Sequence, residues 1–252
     1  MSALLEVRDV TKRFGGNAVV DQVSVSIAPG EALGLIGANG AGKTTLFRMI
    51  AGELSMTSGA ILFDGAALPR RPDARARLGL ARTFQLVQLF GGLTVLDHLL
   101  VALQAHERRQ GPLRDLFWRG ETTPHERARC EEILALCRLS GRADAPATAL
   151  SLGERRAVEL ARALVTGPRL LLADEPSSGL ESGEAQWFAE LIAQVRTETG
   201  LAVLLVEHDL STVEAVAERV VAMDAGKVIA QGTFDEVVHN PLVVESWLGR
   251  PV

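Results

Sequence analysis

Lysine is scarce in this chain. Lys12, Lys43 and Lys227 are the only three in 252 residues, and arginine supplies the rest of the 26 basic side chains. Basic charge as a whole is in deficit, with 31 acidic residues, a net charge of −5 and a pI near 5.6. No basic run dominates, which argues against nucleic acid as the main partner. Cysteine is scarcer still: Cys130 and Cys137 cannot build a disulfide framework, which fits a reducing compartment. They stand two helical turns apart on one face of an expected helix and read as buried packing. Long apolar runs are missing too. Stretches such as Leu201–Val206 fall far short of the roughly 20 residues of a membrane helix. Met1–Arg8 lacks the basic start and apolar core of a secretory signal, so the chain is expected to stay in the cytosol.

What is present is an ordinary globular mix, 47% hydrophobic and 23% charged, without repeats or low-complexity tracts. The length suits one large domain or two small ones. The mean hydropathy of +0.17 calls for a large α/β core or an apolar docking surface.

Alternation at Leu5 and Val7, and again at Val23, Val25 and Ile27, predicts half-buried antiparallel strands. Leu33–Ile36, the glycine-rich Gly37–Gly42, and Leu46, Met49 and Ile50 then read as strand, loop and helix. Ile61–Phe63 is a short strand closed by Asp64-Gly65. From Leu86 to Ala149 strand signals fade. Helical spacing appears at Leu96, Leu99, Leu100 and Leu103, and at Cys130, Ile133, Leu134 and Cys137. Between them, Arg108–Pro124 reads as a loop whose Leu116, Phe117 and Trp118 tuck back onto the helices. The α/β rhythm then returns, with a helix through Val158–Val165, a strand at Leu170–Ala173, a helix ended by Gly200, a strand at Leu201–Val206 and a hairpin across Asp224–Gly226. Strands alternating with helices imply a mostly parallel sheet.

Gly37-Ala38-Asn39-Gly40-Ala41-Gly42-Lys43-Thr44 fits the phosphate-binding loop pattern G-x-x-x-x-G-K-[ST]. Glycines let successive N–H groups turn inward around phosphate oxygens, and the following helix N-terminus adds positive potential. Lys43 would neutralise β/γ-phosphate charge, and Thr44 would offer a hydroxyl to Mg²⁺. The apolar Leu170–Ala173 ends in Asp174 and Glu175, at the strand end where ligands bind in open parallel sheets. Asp174 would help hold Mg²⁺, and Glu175 would orient the attacking water and accept its proton. Ser151 and Glu154 have capping-box spacing, and the helix start they cap, with Gly153 in it, can face a phosphate.

These elements, with Gln85 and His208 in order and at similar spacing, resemble the ATP-binding subunits of ABC transporters over essentially the whole chain. The resemblance implies a P-loop NTPase α/β core with a mostly parallel sheet, an antiparallel β subdomain and a helical subdomain. It implies one nucleotide-binding domain over 1–252, with 1–85 and 158–252 forming the core and 86–157 the helical part. Phe14 would stack on adenine, while Gly37, Asn39, Gly40, Gly42, Lys43, Thr44 and Thr45 would hold the phosphates of ATP. Gln85 would contact Mg²⁺ or the attacking water, His208 the γ-phosphate, and Ser151 and Gly153 the γ-phosphate of ATP held by another subunit.

Arg82-Thr83-Phe84-Gln85, Leu89-Phe90, Leu93-Thr94-Val95 and the tail from Asn240-Pro241 through Trp247-Leu248-Gly249 are similar to the branched-chain amino-acid uptake group. That likeness implies a second ATP-binding subunit (a heterodimer ahead of a homodimer), two membrane permeases and an external substrate-binding protein. It places the chain peripherally on the cytoplasmic face of the inner membrane. Urea, short amides or lipopolysaccharide stand as alternative substrates, and a soluble ABC ATPase acting on nucleic acid as the rival in another class. Three residues depart from the family pattern: Leu152 and Glu154 in the signature, and Glu181 where aspartate or asparagine is usual.

Overall fold

A computed structural model describes residues 3–83, 89–108 and 122–248. Strands β1 (Leu5–Phe14) and β2 (Asn17–Ile27) pair antiparallel across the turn at Gly15-Gly16, with Val7 opposite Val25. Alternate residues of both point inward, so Leu5, Val7, Val23, Val25 and Ile27 are buried while their neighbours meet solvent. β4 (Ser58–Phe63) and β5 (Ala66–Ala67) complete a four-stranded sheet in the order β2-β1-β4-β5.

The second sheet carries the α/β rhythm. It contains β3 (Ala32–Gly37), β6 (Leu80–Arg82), β7 (Leu170–Asp174), β8 (Ala202–Val206), β9 (Arg219–Asp224) and β10 (Lys227–Gly232), in the order β10-β9-β3-β8-β7-β6. All neighbours run parallel except β10, which returns antiparallel to β9. Both faces of its central strands are covered, so β3, β7 and β8 are apolar runs, β7 ending in Asp174. Leu33, Leu35, Leu170, Leu172, Ala202 and Leu204 face a core shared with the antiparallel sheet and α1 (Lys43–Ala51). Ala32, Ile36, Leu171, Ala173, Val203 and Leu205 face the opposite core.

That opposite core contains α3 (Val95–Arg108), α4 (Pro124–Leu136), α5 (Leu152–Leu164) and α6 (Ser182–Thr199). Leu99, Leu103, Cys130, Leu134, Leu160 and Phe188 are buried there together. Cys130 and Cys137 are fully enclosed; burial pushes their thiols to about 11 and about 12, which keeps them protonated and inert. Gly200, left-handed at φ 68°, ends α6.

Short elements escape the periodic reading, among them α2 (Pro72–Arg77), β6 and α7 (Leu210–Val216). Each is seven residues or fewer, too short for a period to show. The chain closes with α8 (Phe234–Val238) and α9 (Pro241–Leu248). Leu116, Phe117 and Trp118, and all of the expected loop except its ends, lie outside the described residues.

Candidate nucleotide-binding site

The sheet order brings distant segments together. β3, β8 and β7 are consecutive neighbours and parallel, so their carboxyl ends lie side by side. Gly37 ends β3 and opens the loop to Gly42, His208 follows β8, and Asp174 ends β7 with Glu175 next to it. Thr83 extends this edge from β6, its N–H donating to the Leu172 carbonyl at 3.0 Å. Open parallel sheets bind ligands at such an edge.

The glycine loop is built to expose backbone. Gly42 has φ 101° and Gly37 φ 146°. A Cβ on Gly42 would stand 2.6 Å from the Val19 carbonyl, and one on Gly37 2.2 Å from the Met223 carbonyl. The β2 and β9 backbones thus press the loop from outside. At Gly40 the same construction meets open space, as a surface facing a ligand requires. Lys43 is 8% exposed, and its ammonium donates to the Gly37 carbonyl at 2.7 Å and the Ala38 carbonyl at 3.0 Å. Burial pushes the Lys43 pKa down, and the charges of Glu175 and Asp174 oppose that. Asn39, Gly40 and Thr44 are exposed, and Thr45 is half-buried on the first turn of α1.

Opposite the loop, negative charge is concentrated. Burial first, then the charges of Glu175 and Glu207, push the Asp174 carboxyl above its ordinary range, against Arg82 and Lys43. Hard oxygen donors held under mutual repulsion suit a divalent cation. Glu175 is a non-glycine residue at φ 47°, and its N–H donates to the Val206 carbonyl at 2.8 Å. A left-handed bulky residue stores about 1–3 kcal/mol of strain, of the kind that collects at functional sites. His208 is exposed, with its Nδ1 3.6 Å from the Glu207 carboxylate.

Phe14 ends β1 at 51% exposure, which removes it from any core, and the Lys12 ammonium sits 5.0 Å from its ring centroid. Gln85 lies outside the described residues.

Ser151 and Gly153 stand apart, at the start of α5. The Ser151 hydroxyl accepts from the Glu154 N–H, and the Glu154 carboxylate accepts from the Ser151 N–H at 2.9 Å, a complete capping box. The Gly153 N–H donates to the Glu184 carboxylate at 3.3 Å. These residues line a cavity of about 460 Å³ with Arg142, Gly183 and Trp187, and no phosphate-loop residue borders it. The departures have structural consequences: Leu152 packs toward Gly179, and Glu181 occupies the N-cap of α6 without a side-chain cap.

Sequence reasoning passed over Glu207 and Ser177. Glu207 is completely buried and accepts four hydrogen bonds, two from Ser177. A carboxylate immediately after a fully apolar strand was the available signal.

A family described as ABC transporter matches residues 20–178, and one described as branched-chain amino acid ATP-binding cassette transporter matches 227–252. The high-affinity branched-chain amino acid transport ATP-binding protein LivG of Escherichia coli (strain K12) is 37% identical over 254 residues, covering 98% of each chain. BraF of Pseudomonas aeruginosa, named in the same terms, is 36% identical over 251 residues with the same coverage. Among solved structures, the ADP conformation of an ATP-binding cassette of an ABC transporter superposes with a TM-score of 0.86 at 30% identity, over 99% of this chain and 100% of that one. A nucleotide-free cassette gives 0.84 at 29% identity and the same coverage.

Proposed function

Because the chain belongs to the ATP-binding subunits of ABC transporters, we propose that its ATP hydrolysis drives uptake of branched-chain or other hydrophobic amino acids. The observation that supports the chemistry most is the meeting of the Lys43 loop, Asp174-Glu175 and His208 at three adjacent strand ends. Likeness to LivG and BraF along the whole chain supports the substrate class.

In this reading the exposed Phe14 ring stacks on adenine. Backbone N–H groups from Gly37 to Thr45, including those of Asn39, Gly40 and Gly42, surround phosphate oxygens, and Lys43 supplies the cation. Thr44 and Asp174, with Gln85, would hold Mg²⁺, which supplies positive charge to the phosphates when bound. Glu175 accepts the proton of the attacking water, and His208 hydrogen-bonds the γ-phosphate from its own subunit. Ser151 and Gly153 present the α5 N-terminus to ATP bound by the opposing subunit.

That opposing subunit is a second ATP-binding chain, a heterodimer in preference to a homodimer. Two permeases and, through them, an external binding protein complete the complex, with this chain peripheral on the cytoplasmic face. Residues 86–157 serve as the helical subdomain facing the permeases. Among the described residues no helix is long and apolar enough to cross a membrane.

Glu175→Gln tests the assignment. The variant is expected to bind ATP normally and to hydrolyse it at least about 100-fold more slowly, the range for losing a general base. Near-normal turnover rules Glu175 out as the base.

A further inference from the structure

We propose that Glu207 is a positioning residue for ATP hydrolysis: its carboxylate ties the loop after β7 to the loop after β8 and so sets Glu175 relative to His208. The proposal rests on the reading that Glu175 and His208 act on one phosphate.

Glu207 is 0% exposed, the most deeply buried charged side chain among the described residues. A buried carboxylate is costly unless its oxygens are satisfied. No lysine or arginine among the described residues forms an ion pair with it. One oxygen accepts from the Ser177 N–H at 2.9 Å and the Ser177 hydroxyl at 2.5 Å. The other accepts from the His208 N–H at 3.0 Å and, more weakly, from the Asp209 N–H at 3.4 Å. Each oxygen therefore serves one loop, and the carboxylate is the bridge.

Geometry next to the bridge explains why one is needed. Ser177 lies two residues beyond Glu175, which is left-handed at φ 47°. A strained turn persists only where its surroundings over-determine it. Here the Val206 carbonyl holds the Glu175 N–H, and the next residue along, Glu207, holds Ser177. Both constraints come from the end of β8, so the two loops move as one piece. Misplacing a reacting group by about 1 Å can cost about 100-fold in rate.

The chemistry demands a carboxylate and not merely its shape. Glutamine has a single acceptor oxygen, and its NH₂ would face either the His208 and Asp209 N–H groups or the Ser177 N–H, with only the Ser177 hydroxyl able to turn and accept from it. Either orientation of the amide leaves at least one backbone N–H of one loop without its acceptor.

The test measures kcat and nucleotide Kd for Glu207→Gln, Ser177→Ala and Ser177→Thr in the full chain, assayed with the subunits that co-purify with it. A fluorescent ATP analogue reports Kd. Glu207→Gln is expected to lower kcat tenfold or more with Kd within twofold of the parent. Ser177→Ala is expected to lower kcat severalfold, Ser177→Thr to restore it, and the double variant Glu207→Gln/Ser177→Ala to be no slower than Glu207→Gln alone. A kcat within twofold of the parent in Glu207→Gln overturns the proposal. So does a parallel loss of kcat and nucleotide affinity, which is the signature of general loosening. If Glu207→Gln does not fold, Ser177→Ala decides: reduced kcat at unchanged Kd supports the bridge, and unchanged kcat refutes it. Normal turnover in Glu175→Gln removes the underlying site reading and the proposal with it, whereas slow Glu175→Gln beside normal Glu207→Gln removes the proposal alone.

Discussion

His98 shows how one side chain binds pH to local structure. It is 2% exposed; its Nδ1–H donates to the Thr94 carbonyl at 2.7 Å, and its Nε2 accepts from the Phe90 N–H at 2.9 Å. That pair of bonds requires the neutral ring with its proton on Nδ1. Burial pushes the His98 pKa down, the Thr94 carbonyl opposes it, Arg162 adds to it and Asp97 opposes it. The folded pKa therefore lies below the unfolded value of about 6.5. As pH falls below that value the unfolded chain gains a proton that the folded chain refuses, so stability is lost. Urea unfolding at pH 7.5 and 5.5 is expected to show a steeper loss for the parent than for His98→Gln. Equal slopes contradict the neutral, buried imidazole.

At the scale of elements, three described helices begin with complete capping boxes that use glutamate, Thr123 with Glu126 on α4, Ser151 with Glu154 on α5, and Thr233 with Glu236 on α8, and Thr94 with Asp97 makes the same reciprocal pair before α3. Chemically they are the same device, and each cap is worth about 0.5–2 kcal/mol. Thr123→Ala and Thr233→Ala are expected to lose that stability and keep ATP hydrolysis. Ser151→Ala is expected to lose similar stability and also to slow hydrolysis in the assembled complex, because only that helix start faces the opposing subunit's ATP in our reading. Denaturant midpoints measured beside turnover separate the two effects. Equal turnover in all three variants confines Ser151 to capping.

For the whole molecule, the consequence to check is assembly. A tagged chain recovered from detergent-solubilised membranes is expected to carry two permeases and a second ATP-binding subunit. Cells lacking it are expected to lose uptake of leucine, isoleucine and valine. Recovery of the chain alone from the soluble fraction, or normal uptake, contradicts the transport role.

Much of this protein was legible in one dimension because the responsible interactions are local. Gly37 to Thr44 are contiguous, so the phosphate loop shows as a string. The Ser151 box spans four residues, so its spacing marks a cap within the sequence itself. β7 and β8 announced themselves by unbroken apolar runs, since both of their faces are covered. Short β6 and α7 did not, because a few residues carry no period. The arrangement β3-β8-β7, which lays Lys43, His208 and Glu175 along one edge, was decided by the pairing of β3 with β8 and of β8 with β7, strands separated in the chain by whole helices. The bridge from Glu207 to Ser177 and the seating of Glu184 on Gly153, contacts across 30 and 31 residues of chain, were likewise decided by the tertiary fold. Such contacts leave no trace in spacing, because each partner is polar in its own local context and acquires its meaning only when the sheet brings the other within hydrogen-bond reach.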